Sequence, residues 1–326
     1  MKTVFILLTS LMLAANCSGQ IGRARTSKKV GTYLMKLQNY VRQYSLYADS
    51  IDWAELERKL DLASEGAMNL EDCRPAIDTI ISTLRKAGDQ HTVFLSREEG
   101  SHLKTAVAPD LQPEGKLLEG AIGYLRVPTF TSISLPASEI YAQRINDLIR
   151  ELDGSTTLRG WIIDLRGNRG GNISPMIRGL ASFFSSAPCA FVIFPKQNLE
   201  MPLHALSGQA GRIQVRQSYK VKDIQTPVAI LIDSNTGSSG EFTAIALRSL
   251  PRVRLFGSPS AGYTTSNTSF QLDDGAFLFL ATGYMADFNK NTFIPCIVPD
   301  EVVAAGDAKE ADRTIDAARN WLLTRQ

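Results

Sequence analysis

The sequence predicts an α/β protein in which strand-helix units build a parallel sheet, with a bundle of helices preceding it. Residues 227–232 are continuously apolar, and residues 160–165 are apolar apart from Asp164, as in strands that are buried on both faces of a sheet. Each run passes through a glycine-rich turn into apolar residues at helical spacing, which is typical of right-handed crossover units. Between residues 27 and 95, by contrast, the spacing is helical throughout.

The amino-terminal segment has the layout of a secretory signal. Lys2 precedes an apolar run from residue 4 to residue 15, which is too short to cross a bilayer as a stable helix. The sequence LAANC that ends at Cys17 resembles a lipobox, in which the cysteine is lipidated and becomes the mature amino terminus, although Asn replaces the expected Gly or Ala. The alternative is cleavage near Gly19 or Gln20, which would give a soluble exported protein.

We therefore divide the chain into a signal peptide at residues 1–20, a helical cap at 21–105 and a core at 106–326. The signal predicts an exported protein of a bacterial-type cell envelope, either periplasmic or held in the outer membrane by a lipid on Cys17. That lipid is the only contact with a membrane that the sequence predicts.

Composition argues against a nucleic-acid partner and gives no sign of a metal site. The 35 Lys and Arg nearly balance the 33 Asp and Glu, and the basic residues form no stripe with aromatic residues. If Cys17 is removed or acylated, Cys73, Cys189 and Cys296 remain. Three cysteines permit at most one disulfide, their spacing matches no metal motif, and we interpret them as buried thiols.

Three helices are predicted in the cap. The first has an apolar face between residues 33 and 46, the second begins at Asp52, and the third holds the apolar residues between 76 and 84. Gly88 suits the left-handed conformation that ends many helices, so His91 is placed in a turn at the edge of the bundle.

The polar, proline-containing stretch 97–118 is expected to be a linker or a surface loop. Strands are then predicted at 120–130, 160–165, 227–232 and 253–257. Helices are predicted at 135–152, after residue 172, from residue 241, and at 307–323. Residues 269–272 and 276–282 predict a hairpin that turns at the sequence Asp-Asp-Gly.

Glycine-rich turns follow two of these strands, with the sequences DLRGNRGGN and SNTGSSGE. The carboxyl ends of parallel strands share one edge of a sheet, where ligands bind. Ser238 lies at the mouth of a helix, beside free backbone N–H groups, as an acyl-transfer nucleophile requires. Gly170 and Gly171 leave room for a substrate carbonyl, so their turn would supply one half of an oxyanion hole and the N–H of Ser239 the other.

Both turns also have simpler interpretations, in which the serines only cap a helix and the glycines only permit a tight turn. A serine nucleophile needs a base, and the chain has three histidines. His102 lies in the polar stretch and His204 in a loop, whereas His91 directly follows the end of a helix. Since a histidine in a turn is usually a surface or packing residue, these positions alone do not select the base.

Six segments, in the right order, resemble those of peptidase family S41: LRKAGDQHTVFL, GAIGYLRVPTF, GWIIDLRGNRGGN, PVAILIDSNTGSSGEFTAIAL, GSPSAGYT and IVPDEVV. This family contains the tail-specific or carboxyl-terminal processing proteases and their relatives of the tricorn-core and interphotoreceptor-retinoid-binding-protein branch. The similarity extends from about Tyr33 to Trp321. It implies a crotonase-like α/β core, a helical amino-terminal cap, and endopeptidase chemistry that requires no metal or organic cofactor.

The resemblance also implies roles for individual residues. Ser238 matches the nucleophile, because it stands three residues before Glu241 as in the family's Ser-x-x-Glu element. The N–H groups of Ser239 and Gly171 match the donors of the oxyanion hole. His91 matches the base of the tricorn-like branch, in which an Asp-x-His turn follows the helical cap.

The sequence departs from the family pattern at three points. Tyr263 stands where processing proteases of the Ser-Lys branch have their lysine, and the segment between residues 95 and 120 is too short for a PDZ module. The glutamate that orients the histidine in the tricorn-like branch is replaced by Phe293 or a neighbour. The open candidates for that acidic partner are Asp287, Asp300 and Glu301, or none of them.

We predict from these observations an exported serine endopeptidase that cleaves carboxyl-terminal or unfolded segments of a peptide or protein substrate. The alternative is a catalytically weak or inactive protein that keeps the fold and binds peptides or apolar ligands, which Tyr263 and the missing glutamate favour. A crotonase-type acyl-CoA enzyme is a third interpretation, but CoA is an intracellular cofactor and fits poorly with an export signal.

Overall fold

A computed structural model describes residues 25–105, 112–304 and 312–324. The predicted signal peptide at 1–20, including Cys17, lies outside the described residues, and so does the start of the helix predicted at 307–323. No helix within the described ranges is both long and apolar enough to cross a membrane.

The helices and strands are numbered in chain order. The helices are α1 (Lys28–Tyr44), α2 (Trp53–Ala63), α3 (Arg74–Lys86), α4 (Arg97–Thr105), α5 (Leu135–Ser155), α6 (Ile173–Gly179), α7 (Gly208–Gly211), α8 (Ser239–Leu247) and α9 (Arg313–Thr324). The strands are β1 (Val93–Leu95), β2 (Glu114–Leu118), β3 (Ile122–Arg126), β4 (Gly160–Asp164), β5 (Ala190–Phe194), β6 (Leu199–Leu203), β7 (Val228–Ile232), β8 (Val253–Gly257), β9 (Thr265–Gln271), β10 (Phe277–Ala286) and β11 (Glu301–Val302).

The larger sheet has six strands in the order β11-β8-β7-β4-β3-β2, and its neighbours are parallel except for β2 at one edge. Every residue of the central strands β4 and β7 is buried. Alternate residues face two cores: Ile163 and Ile230 pack with α5, α6 and α8, whereas Ile162 and Leu231 pack with α9. This layered arrangement confirms the predicted α/β fold with a parallel sheet.

A second sheet has five strands and consists of antiparallel pairs. Its centre is β10, which pairs with β9 in the predicted hairpin and with β1 and β5 along its other edge. The hairpin prediction is confirmed, and both strands are longer than predicted. The strands β1, β5 and β6 were not predicted; β1 and β5 pair with β10, which is distant in the chain, and β6 is an exposed edge strand that pairs with β5.

The helices of the cap form as predicted. The side chain of Asp52 caps α2 by accepting a hydrogen bond from the N–H of Glu55 at 3.0 Å, and Gly88 follows α3 with a φ of +107°. Leu37 of α1 and Leu84 of α3 share one hydrophobic cluster with the hairpin residue Leu280. The cap helices are therefore packed directly onto the β9-β10 hairpin.

The prediction that residues 97–118 are a linker or loop is wrong, because this stretch contains α4 and β2. Ser96 and Glu99 form a reciprocal capping pair that starts α4: each side chain accepts a hydrogen bond from the other's backbone N–H, at 2.7 and 3.3 Å. His102 lies in this helix. Gly115 of β2 lies against Leu148 of α5, where a Cβ atom would come within 3.0 Å of the leucine side chain.

Cys73, Cys189 and Cys296 are all free thiols. Cys73 and Cys189 are buried, as the sequence predicted. Cys296 is only half-buried, so its interpretation as a buried thiol is wrong. It lies in the segment that follows the second sheet, where the loop containing Gly262 approaches it.

We expect Leu280→Ala to lower the free energy of unfolding by about 2–5 kcal/mol, because the Leu280 side chain is fully buried between cap and hairpin and its removal leaves a cavity. The matched control is Leu199→Ala on the edge strand β6, where the leucine is 52% exposed and the expected change is within about 0.5 kcal/mol. Equilibrium urea unfolding measures both. Equal effects of the two substitutions would show that the cap does not share a core with the hairpin.

Candidate active site

The two glycine-rich turns lie against each other at the carboxyl edge of the parallel sheet. The buried residue Asn168 joins them, since its carbonyl accepts a hydrogen bond from the N–H of Gly237 at 2.9 Å. Its side chain accepts a hydrogen bond from the N–H of Gly170 and donates one to the carbonyl of Val127, both at 2.9 Å. A Cβ atom on Gly240 would lie 2.3 Å from the Asn168 carbonyl oxygen, so the close contact of the turns requires glycine there.

Ser238 is the N-cap residue of α8 and has an unusual backbone conformation, with a φ of +53° and a ψ of −119°. For a residue with a side chain, such a conformation costs about 1–3 kcal/mol and persists only where its surroundings hold it. The contact with the other turn is one such restraint, because a Cβ atom on Gly170 would lie 2.7 Å from the Cβ of Ser238.

His91 lies between the end of α3 and the start of β1, and its ring bridges Ser238 and Thr265. The ring Nε2 is 2.9 Å from the Oγ of Ser238, and Nδ1 is 3.0 Å from the Oγ1 of Thr265. The backbone of His91 is held as well: its N–H donates to the carboxylate of Asp89 at 2.9 Å and its carbonyl accepts from the side chain of Asn267 at 3.0 Å. The imidazole is therefore fixed at both ring nitrogens.

The surroundings of His91 favour its neutral form. Burial lowers the pKa of the imidazole, and a hydrogen bond to the backbone of Thr265 and the negative charge of Asp89 oppose this in part. Asp89 is itself buried and also accepts hydrogen bonds from the N–H and the hydroxyl of Thr92. A neutral imidazole has one nitrogen lone pair free to accept a proton.

Glu241 of α8 is fully buried and connects the turn that contains Ser238 to the loop after β8. Its carboxylate accepts hydrogen bonds from the N–H of Ser238 at 2.7 Å, the hydroxyl of Ser260 at 2.5 Å and the N–H of Gly262 at 2.9 Å. Burial raises the pKa of this carboxyl group, and the hydrogen bonds oppose the rise. The carboxylate thus fixes both segments at once.

The backbone around Gly171 is held by the segment before α5. Phe130 donates its N–H to the carbonyl of Gly170 at 3.2 Å and accepts from the N–H of Asn172 at 2.6 Å. The hydroxyl of Ser239 donates to the carbonyl of Gly171 at 2.7 Å. Because C=O and N–H point in opposite directions in a trans peptide, the N–H of Gly171 points away from Phe130.

Two backbone donors are left free by this arrangement. Within the described residues, neither the N–H of Gly171 nor that of Ser239 donates to a protein acceptor. A Cβ atom on Gly171 would lie 2.1 Å from the Phe130 carbonyl oxygen, so only glycine fits at this position. Free N–H groups beside a serine hydroxyl can hold an oxygen that gains negative charge.

The three acidic candidates from the sequence lie elsewhere. Asp287 accepts hydrogen bonds from backbone N–H groups of its own loop, and Asp300 and Glu301 each pair with an arginine. Within the described ranges, none of them contacts the ring of His91. The aromatic ring of Tyr263 does lie beside it, with the two ring centroids 5.4 Å apart.

The structure brings together the four residues that the sequence proposed as a site: His91, Gly171, Ser238 and Ser239. His204 is not among them, because its Nδ1 lies 3.2 Å from the carbonyl of Ser186. Sequence reasoning missed the contacts of Thr265 and Asp89 with His91. The contact of Asp89 could have been predicted locally, because an Asp side chain often accepts a hydrogen bond from the backbone N–H two residues later. No pattern in the sequence indicates the contact of Thr265.

Known proteins are similar to this chain over most of its length. The model of peptidase family S41 matches residues 121–303, which include both glycine-rich turns and Ser238 but not His91. The nisin-resistance protein of Lactococcus lactis subsp. lactis is 32% identical over 265 residues, which cover 78% of this chain and 80% of that protein. The carboxy-terminal processing protease CtpA of Bacillus subtilis (strain 168) is 24% identical over 195 residues, covering 59% of this chain and only 37% of CtpA.

A solved structure shows the same fold. The lipoprotein from Streptococcus agalactiae superposes with a TM-score of 0.76 and 24% sequence identity, covering 98% of this chain and 100% of that chain. The family match alone spans more than half of the 326 residues. The chain therefore belongs to peptidase family S41.

Proposed function

We propose that this protein is a serine endopeptidase in which Ser238 is the nucleophile and His91 is the base. The observation that carries the proposal is the 2.9 Å contact between the His91 Nε2 and the Ser238 Oγ, two groups 147 positions apart in the chain. A base within hydrogen-bond distance of a hydroxyl can take its proton as the oxygen attacks. Membership of a peptidase family supports the same chemistry.

In the first step, the Ser238 oxygen forms a bond to the carbonyl carbon of the substrate while its proton moves to the His91 Nε2. The electron pair of the carbonyl double bond moves to the carbonyl oxygen, which the N–H groups of Gly171 and Ser239 would stabilise. His91 then gives the proton to the leaving amine as the C–N bond breaks. His91 next takes a proton from a water molecule whose oxygen bonds to the acyl carbon, and it returns a proton to the Ser238 oxygen as the ester bond breaks. No metal or organic cofactor takes part.

We propose peptides and unfolded protein segments as the substrates. Carboxy-terminal processing proteases among the relatives support this class. One relative is named for nisin resistance, so nisin is a test substrate beside casein. Export of the protein and a lipid on Cys17 remain proposals that rest on the sequence of the first twenty residues.

A fluorophosphonate probe should label the protein at Ser238, because its hydroxyl contacts a neutral imidazole. We expect Ser238→Ala to abolish both the labelling and the cleavage of casein or nisin. Ser234→Ala in the same turn is the matched control, because Ser234 is exposed and is not a hydrogen-bond partner of the His91 ring. Labelling is read by intact-mass spectrometry. Undiminished labelling of Ser238→Ala would refute the assignment, and no labelling of the unaltered protein would favour the ligand-binding alternative.

We expect His91→Ala to lower kcat/KM by about 10³-fold, because the serine would lose its general base. His204→Ala is the control, because the ring of this histidine hydrogen-bonds to the carbonyl of Ser186 and takes no part in the site. The activity of this variant should stay unchanged. Steady-state kinetics on a fluorogenic peptide measures both variants. A His91→Ala enzyme with nearly full activity would remove His91 from the mechanism.

The pH profile of kcat/KM should fall on the acid side with an apparent pKa below 6.5, the ordinary value for histidine. His91 accepts a proton only when it is neutral, and burial lowers its pKa, so the neutral form persists to more acidic pH. Activity is therefore retained above this pKa and lost as the pH falls through it. Rates measured between pH 4 and pH 9, with stability checked at each pH, test this; an acid limb above 6.5 would contradict it.

A further inference from the structure

The base of the proposed mechanism has no carboxylate at its second ring nitrogen. The Nδ1 of His91 contacts the hydroxyl of Thr265, and Asp89 is hydrogen-bonded to the backbone N–H of His91 and not to the ring. When His91 takes the proton of Ser238, the ring becomes a cation in a buried position. Burial disfavours that cation, and the backbone hydrogen bond to Thr265 and the charge of Asp89 offset this only in part, so a further stabilising contact would favour the reaction.

The aromatic ring of Tyr263 lies close enough to the His91 ring to stabilise its positive charge. Its centroid lies 5.4 Å from that of the His91 ring, and the two ring planes are 34° apart. The face of an aromatic ring carries partial negative charge and attracts cations within about 6 Å of its centroid. Tyr263 is also 38% exposed, so its side chain is not placed there by burial in the hydrophobic core.

One contact with the ring and two with the backbone before it position Tyr263 before any substrate binds. Gly237 lies under it, where a Cβ atom would come within 3.1 Å of the Tyr263 Cδ2. The preceding residue, Gly262, donates its N–H to the buried carboxylate of Glu241 at 2.9 Å. Gly262 also has a φ of +85° and lies against the carbonyl of Pro295, so the turn into Tyr263 depends on glycine. The ring is thus preorganised against His91.

We propose that the Tyr263 ring stabilises the positively charged form of His91, in place of the carboxylate that accompanies the histidine in a Ser-His-Asp triad. The proposal rests on the proposed function, because it takes His91 as the group that receives the proton of Ser238. Tyr263 acts through His91 and makes no bond to the substrate. The ring face is what matters, so the phenol hydroxyl is dispensable.

The direct test is the titration of His91, followed by NMR in a Ser238→Ala background in which no chemistry occurs. We expect Tyr263→Phe to leave the pKa of His91 unchanged, because it keeps the ring. Tyr263→Leu should lower that pKa by about half a unit, which corresponds to about 0.7 kcal/mol. All variants should first show the thermal unfolding midpoint of their parent. An unchanged pKa in Tyr263→Leu would overturn the proposal.

A second comparison keeps the shape of the ring constant, in case the leucine disturbs the loop. Phenylalanine and pentafluorophenylalanine at position 263 have nearly the same shape, but fluorination removes the partial negative charge on the face of the ring. The pKa of His91 should be lower with the fluorinated ring. Equal pKa values for these two proteins would overturn the proposal, whatever Tyr263→Leu shows.

Kinetics on the chain with Ser238 intact separates this role from a contact with substrate. With the fluorinated ring we expect kcat to fall about 2–5-fold while KM stays unchanged, because the cation forms only during the reaction. A change confined to KM would assign Tyr263 to substrate binding and overturn the proposal. Since the NMR titration needs no turnover, its result is independent of whether Ser238 proves to be the nucleophile.

Discussion

The buried carboxylate of Glu241 is the interaction on which the geometry of the site depends. It accepts hydrogen bonds from the backbone of Ser238, from the hydroxyl of Ser260 and from the backbone of Gly262. Moving a carboxylate out of water is unfavourable, and only donors of this number and quality offset it. The Glu241 carboxylate thereby holds both the strained backbone of Ser238 and the loop that leads to Tyr263.

The site is assembled from two differently built halves. Ser238, Gly171 and Ser239 come from turns of the parallel sheet, whereas His91 comes from the junction between the cap and the second sheet. Thr265, the first residue of β9, holds His91 to the second sheet, because its hydroxyl contacts the imidazole while its strand pairs with β10. The position of the imidazole therefore depends on the hairpin as much as on its own turn.

The sequence was informative wherever a short pattern determines the structure. The buried strands at 160–165 and 227–232, their glycine-rich turns and the cap of α2 by Asp52 all depend on neighbouring residues, and they were predicted correctly. The strands β1 and β5 depend on their pairing with β10, which is far along the chain, so no local period reveals them. Thr265 was missed for the same reason, because it is 174 positions from His91 in the chain. The sequence also could not identify an acidic partner for His91, since all three candidates lie away from the ring in the folded protein.

The division of the site has a consequence for the newly made chain. In a chain whose cap is not docked on the hairpin, Ser238 would have no imidazole nearby. Under the proposed chemistry such a chain could not cleave peptides, so proteolytic activity would require the assembled cap and second sheet.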